Sequence, residues 1–235
     1  HKGHISLIKQ SKKSKFKTLV SIFVNPKQFN KKSDFRAYPR NTKADIKKLK
    51  KLKVNYLYIP TVRDIYGFKP KKRVFLDAFS KELCGKFRKG HFEGVLNVVN
   101  RFIEIIKPKY IFLGKKDYQQ LYLIKKHVEK RKIKSQIIGC KIIRENNGIA
   151  CSSRNSNLNK DQIKIASNIY YYLNNLKKKI KKNYTLFDKN LIKKDLINLG
   201  ASKIDYLENY NIKNLKKIKR PNKKFNLFFA YYIKS

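Results

Sequence analysis

Tryptophan and methionine are absent from the 235 residues, and glycine (9), proline (6) and cysteine (3) are scarce. The cysteines Cys84, Cys140 and Cys151 are odd in number and show no paired spacing. That excludes a disulfide framework and fits free thiols in a reducing compartment, with a cytoplasmic location as the expectation. No apolar run approaches the roughly 20 residues a membrane-spanning helix needs, so no membrane partner is expected. No secretory signal pattern, internal repeat or Gly/Ser linker is present. Acidic residues are the largest shortage: 15 Asp and Glu against 59 Lys and Arg, for a net charge of +44. Such an excess invites a nucleic-acid reading. Most of it is lysine, however, distributed along the whole chain among Asn, Ile, Tyr and Phe, residues with A/T-rich codons. Codon bias accounts for it better than a built nucleic-acid surface. Polyanions should still be attracted nonspecifically at low salt, and small anionic substrates are favoured.

Hydrophobic residues make up 41% of the chain, enough for a sizeable core. Apolar runs of strand length alternate with helical patterns, which predicts a Rossmann-like parallel α/β sheet with a second, smaller α+β domain. Strands are expected at Thr18–Asn25, Val54–Pro60, Val74–Ala78, Tyr110–Leu113 and Ser135–Ile143. Helices are expected near Gly3 and over Thr42–Lys53, His91–Ile106 and Asp117–Lys130, with Thr42 as N-cap of the second and Asp45 in a capping-box variant. The texture changes after Arg154, which places a boundary between domains 1–155 and 156–235. The second domain reads as helices Asp161–Lys182 and Asp188–Leu199, then strands Lys203–Glu208 and Asn226–Ile233 on either side of the basic stretch Lys213–Lys224.

The chain opens on His1-Lys2-Gly3-His4. Residues three apart share one side of a helical turn, so both imidazoles can address one object. A helix start offers backbone N–H groups and a positive dipole end, which suit phosphate, and Gly3 would let the backbone approach closely. Metal binding by the pair lacks further ligands nearby. An isolated motif of this kind would read as two surface histidines. It is not isolated: Asn25-Pro26-Lys27-Gln28-Phe29, Tyr38-Pro39-Arg40, Gly90-His91-Phe92, Gly114-Lys115-Lys116-Asp117-Tyr118-Gln119-Gln120 and Cys151-Ser152-Ser153-Arg154 follow in order.

This ordered set resembles the pantothenate synthetases (pantoate–β-alanine ligases) of the HxGH nucleotidyltransferase superfamily, over nearly the whole chain. The resemblance implies an ATP-dependent ligase that condenses pantoate with β-alanine through a pantoyl adenylate, releasing AMP and pyrophosphate. Mg²⁺ would accompany the ATP. It implies His4, His1, Lys116 and Arg154 as catalytic residues. ATP contacts are implied for His1–His4 with Lys2 and Gly3, for Gly114, Lys115, Lys116 and Asp117, and for Ile143, Cys151, Ser152, Ser153 and Arg154. Gln28 and Gln120 would contact pantoate, as would Asn25, Tyr38, Arg88 and His91. Asp45 matches a carboxylate near the family's magnesium, although capping ranks above metal binding for it. Lys115 stands where the family has Glu, and Cys151 where it has Met. The resemblance also implies a homodimer, a lid role for the second domain, a strand before His1 and further chain after the last strand. The alternatives are another HxGH nucleotidyltransferase or a basic nucleic-acid-binding protein.

Overall fold

The computed structural model of the chain describes residues 1–29, 35–36, 38–212, 214–218 and 225–234. They form two compact units: His1–Ile143 with Cys151–Arg154, and Arg144–Ala150 with Asn155–Ser235.

The first unit runs α1 (Lys2–Ser11), β1 (Leu19–Ser21), a 3₁₀ turn (Pro26–Gln28), α2 (Thr42–Lys51), β2 (Tyr56–Tyr58) and α3 (Val62–Tyr66). A 3₁₀ turn (Ala78–Lys81), α4 (Leu83–Phe87), α5 (His91–Ile106), β3 (Tyr110–Gly114), a 3₁₀ turn (Lys115–Asp117), α6 (Tyr118–Lys130) and β4 (Gln136–Cys140) complete it. The pairing is parallel, as the alternation of elements predicts: Leu19 opposite Tyr56 in one pair, Tyr110 opposite Gln136 in the other. The described strands make two ladders rather than one continuous sheet. Side chains link them, with the Phe16 and Tyr110 rings 5.6 Å apart and the Lys109 ammonium over both. Val95 and Leu96 of α5 and Ile124 of α6 form the core, against Leu113 of β3 and Ile137 of β4.

Several expectations are corrected. β1 is shorter than Thr18–Asn25 and is not a fully buried strand: Leu19 is 36% exposed. Val74–Ala78 forms no strand; the Phe75 N–H is taken by the ring of His127 rather than by a neighbouring strand. The N-cap of α2 is Asn41, whose side chain accepts from the Ala44 N–H, not Thr42. Asp45 therefore falls at the fourth helical position, one beyond the capping-box residue, and its carboxylate is left near Lys48 at 4.0 Å.

In the second unit, helices α7 (Lys160–Lys182) and α8 (Lys189–Asn198) pack on an antiparallel pair, β5 (Ala201–Asn211) and β6 (Phe225–Ile233). Ile169, Leu173, Ile192, Leu196, Ala201 and Leu207 form its core. Asn159 and Gln162 close a capping box on α7. Gly200 ends α8 at φ +105°, the left-handed geometry that lets glycine stop a helix. Much of the basic stretch Lys213–Lys224 lies outside the described residues.

Candidate active site

All the residues singled out from the sequence lie in the first unit. His1 is the N-cap of α1: its Nδ1 accepts from the His4 N–H at 3.4 Å. The two rings stack with centroids 3.8 Å apart. An accepting Nδ1 fixes the neutral His1 ring with its proton on Nε2. Gly3 is required by what surrounds it. A Cβ there would meet the His1 ring at 2.9 Å and the Cys151 Cβ at 3.3 Å. Packing of the histidine and of the 151–154 segment therefore demands glycine. Cys151 is buried, and its N–H donates to the Ile143 carbonyl at 2.9 Å.

Solvent reaches His4, yet partial desolvation still lowers its pKa. The Asp45 carboxylate opposes this, and the Lys116 ammonium acts in the same direction as burial. Lys116 and Asp45 thus both act on His4 from the 3₁₀ turn after β3 and from α2. Gly114 ends β3 at φ −74°, and a Cβ there would meet nothing closer than the Lys116 N–H at 4.0 Å. The fold leaves open space at that position. Lys115 turns elsewhere: its aliphatic stem lies against Gly139 of β4, 3.3–3.6 Å from where a Cβ would be. Asp117 is exposed beside it and makes no capping hydrogen bond to α6.

A second group gathers around the turn after β1. Asn25 is buried, and both ends of its amide are engaged: its Nδ2 donates to the Gly94 carbonyl at 3.1 Å. Its Oδ1 accepts from the Lys27 N–H at 3.0 Å and from the Tyr66 hydroxyl at 2.7 Å. The Gln28 carbonyl accepts from Arg88 at 2.8 Å and from His91 Nδ1 at 2.9 Å. Burial and then the Arg88 charge lower the His91 pKa to about 4, with Arg154 adding to the effect, so the ring is neutral near pH 7. The Arg154 guanidinium lies over the Tyr38 ring at 5.2 Å. The segment Cys151–Arg154 therefore touches both groups: Cys151 reaches Gly3, while Arg154 reaches Tyr38 and the neighbourhood of His91. The Ser152 hydroxyl accepts from the Arg154 N–H at 3.3 Å within that segment.

Gln119 and Gln120 separate sharply. Gln119 is buried and bonded to the Cys84 N–H and to the Phe79 and Glu82 carbonyls. Among the described residues, the half-buried side-chain amides of Gln120 and Gln28 have no hydrogen-bond partner, and no bond joins the two.

The family model for pantoate-beta-alanine ligase matches residues 1–235. The chain belongs to the pantoate–β-alanine ligase family. The pantothenate synthetase of Flavobacterium psychrophilum is 39% identical over 237 residues, covering 99% of this chain and 84% of that protein. That of Christiangramia forsetii is 36% identical, covering 99% and 83%. The pantoate-beta-alanine ligase of Francisella tularensis, solved in complex with beta-gamma ATP and beta-alanine, is 36% identical with a TM-score of 0.80, over 99% of this chain and 81% of that one. The pantothenate synthetase structure from Thermus thermophilus is 26% identical with a TM-score of 0.90, over 99% and 85%.

Within this ligase family fold, sequence reasoning passed over Tyr66 and Gly94. Neither carries a chemical motif. Gly94 could be suspected only as a glycine inside a helical pattern. Its place is tight, since a Cβ would meet the Lys27 carbonyl at 2.9 Å. A cleft between the ends of α1 and α2 is not the site. It is lined by Lys9, Lys12, Lys13, Lys51, Leu52 and Lys53, and Lys12 donates to the Leu52 and Lys53 carbonyls at 2.7 and 3.3 Å. Lys12 thereby caps the C-terminal end of α2, whose C-cap residue is Leu52.

Proposed function

We propose that the chain is an ATP-dependent ligase that joins pantoate to β-alanine through pantoyl adenylate. A pantoate carboxylate oxygen attacks the α-phosphorus of ATP, and the bond to pyrophosphate breaks. The β-alanine amine then attacks the acyl carbon, AMP leaves, and the amine loses a proton as the amide forms. The observation that carries this reading is the grouping of His4, Lys116 and Asp45 about the His1–His4 pair, with the 151–154 segment packed on Gly3. Membership of the family and the Francisella tularensis ligase, solved with beta-gamma ATP and beta-alanine, support it.

A carboxylate is already ionised at neutral pH and needs no general base. The site must instead supply positive charge and hydrogen-bond donors around the phosphates. His1 offers its Nε2–H and Lys116 its ammonium. Partial burial lowers the His4 pKa in the free protein; a phosphate beside it acts the other way and favours the protonated ring, which donates to the α-phosphate or the departing pyrophosphate. Ser152, Ser153 and Arg154 face the β- and γ-phosphates from the other side. The unpartnered amides of Gln28 and Gln120 take the pantoate hydroxyls and carboxylate, because an amide both donates and accepts. Asp45, a lone carboxylate released from capping, suits Mg²⁺ shared with the nucleotide better than an all-protein metal cage; no three-residue metal cluster occurs among the described residues. When bound, that ion neutralises phosphate charge. We further propose a homodimer, on the resemblance, and a cytoplasmic setting, which suits the three free thiols.

ATP–pyrophosphate exchange tests the function. Exchange that depends on pantoate is expected. Exchange driven equally by other carboxylic acids, or none at all, overturns the reading.

A further inference from the structure

We infer that Tyr66 is a positioning residue for pantoate, acting through the Asn25–Gln28 turn. The inference rests on the proposed contact between Gln28 and pantoate.

Tyr66 closes α3 and grips both neighbours of Pro26. Its hydroxyl donates to Asn25 Oδ1 at 2.7 Å, and its ring lies under the Lys27 ammonium at 4.0 Å. The direction of the Asn25 amide is fixed by its other partners. The Lys27 N–H demands the oxygen on one side and the Gly94 carbonyl demands the NH₂ on the other. The phenol is therefore the donor. Asn25 in turn caps the 3₁₀ turn Pro26–Gln28, and the Gln28 N–H bonds back to the Asn25 carbonyl at 3.3 Å.

Every anchor of this turn is a backbone or side-chain atom other than the Gln28 amide. Arg88 and His91 hold the Gln28 carbonyl, and Gly94 lets the Lys27 carbonyl press against α5. Among the described residues, the Gln28 amide alone is left without a partner on this clamped turn. A free side chain on a rigid mount is what binding a neutral hydroxyl requires, because orientation entropy is lost before the ligand arrives. Among the described residues, Tyr66 is the only clamp residue that comes from α3, so it sets how the turn is braced from that side.

Tyr66→Phe keeps the ring under Lys27 and removes only the hydroxyl. It should raise the pantoate KM about tenfold, the loss of roughly one hydrogen bond's worth of orientation, and leave the ATP KM unchanged, with a drop of only a few degrees in thermal midpoint. In a Gln28→Ala background the same change should add nothing further, since Tyr66 acts through Gln28. A purely structural role would raise both KM values together, which overturns the inference. So does an unchanged pantoate KM in Tyr66→Phe while Gln28→Ala raises it. If Gln28→Ala itself leaves the pantoate KM unchanged, the proposed pantoate contact fails, and the role of Tyr66 falls with it.

Discussion

His4 carries the clearest residue-scale consequence. A carboxylate nucleophile needs no base, so the role proposed for His4 is on phosphate, and His4→Ala should slow adenylate formation by roughly 10²–10³. A supplied pantoyl adenylate should still react with β-alanine. Single-turnover measurement of the two half-reactions separates the cases. Intact adenylation with blocked amine attack would make His4 the amine's base and refute its assignment to phosphate. Gly3 gives a second test. A methyl group there would lie 2.9 Å from His1 Nδ1, so the ring must leave its capping position. Gly3→Ala should raise the ATP KM and lower kcat while the far-UV spectrum stays native. Retained ATP KM would show that the His1 ring position is dispensable. Single residues were legible where the motif itself states the chemistry, as with the paired histidines. They were less legible where partners are remote. Asn25 reads as a substrate contact, yet its hydrogen bonds go to Gly94 and Tyr66, 69 and 41 positions away. No local pattern records such pairs.

At the scale of elements, α5 was readable to its ends, because Gly90 and Pro108 bracket a long apolar stripe. The short strands were not, because edge exposure and hydrogen-bond competition decide their length. Val74–Ala78 shows the competition: the His127 ring on α6 takes the Phe75 N–H, and Arg131 at the end of that helix donates to the Val74 carbonyl. His127 of α6 is fully buried, and its Nδ1 accepts from the Phe75 N–H at 3.0 Å. Its Nε2 therefore carries the proton and donates to Asn100 Oδ1 at 3.1 Å. Asn100 Nδ2 donates to the Lys72 carbonyl, and Glu104 accepts from the Lys71 N–H. This network fastens the loop before the 3₁₀ turn to both helices. It works only with neutral imidazole, and burial, with Arg131, lowers the pKa from 6.5 to about 4. The sign follows directly. As pH falls below the unfolded value, protons bind the unfolded chain first. The contribution of His127 is whole above pH 6.5 and is lost progressively toward pH 4, by about 3 kcal/mol in all. His127→Gln preserves one donor and one acceptor without a titrating proton. Urea unfolding between pH 7 and 4 should show a smaller loss in the variant than in the parent, and equal losses would exclude His127 as a source of the acid sensitivity.

Charge governs the whole molecule. With 59 basic and 15 acidic residues, most cations have no acidic partner, and the ion pairs among the described residues are, apart from the more buried Arg101–Glu104, exposed or partly exposed ones such as Lys126–Glu129 at 2.9 Å. Pairs of that kind contribute little. Long-range repulsion between like charges is then the dominant electrostatic effect on the compact state, and it opposes folding. Salt screens it, since the Debye length falls from ~30 Å at 0.01 M to ~10 Å at 0.1 M. The same excess draws ATP, pantoate and other anions toward the site, and salt weakens that attraction as well. Sodium chloride should therefore act in opposite directions on the two properties. Raising it from low to moderate concentration should lift the thermal midpoint, by roughly 2–4 °C for each kcal/mol of repulsion removed in a chain of this size. Over the same range it should raise the ATP KM. A substrate-sized anion such as tripolyphosphate should reproduce the stabilisation at far lower concentration than chloride, because it binds the folded protein. A midpoint that stays flat or falls as salt rises would mean that the positive charges are spaced widely enough to be harmless. The lysine excess would then be a matter of composition alone, without energetic consequence for the fold.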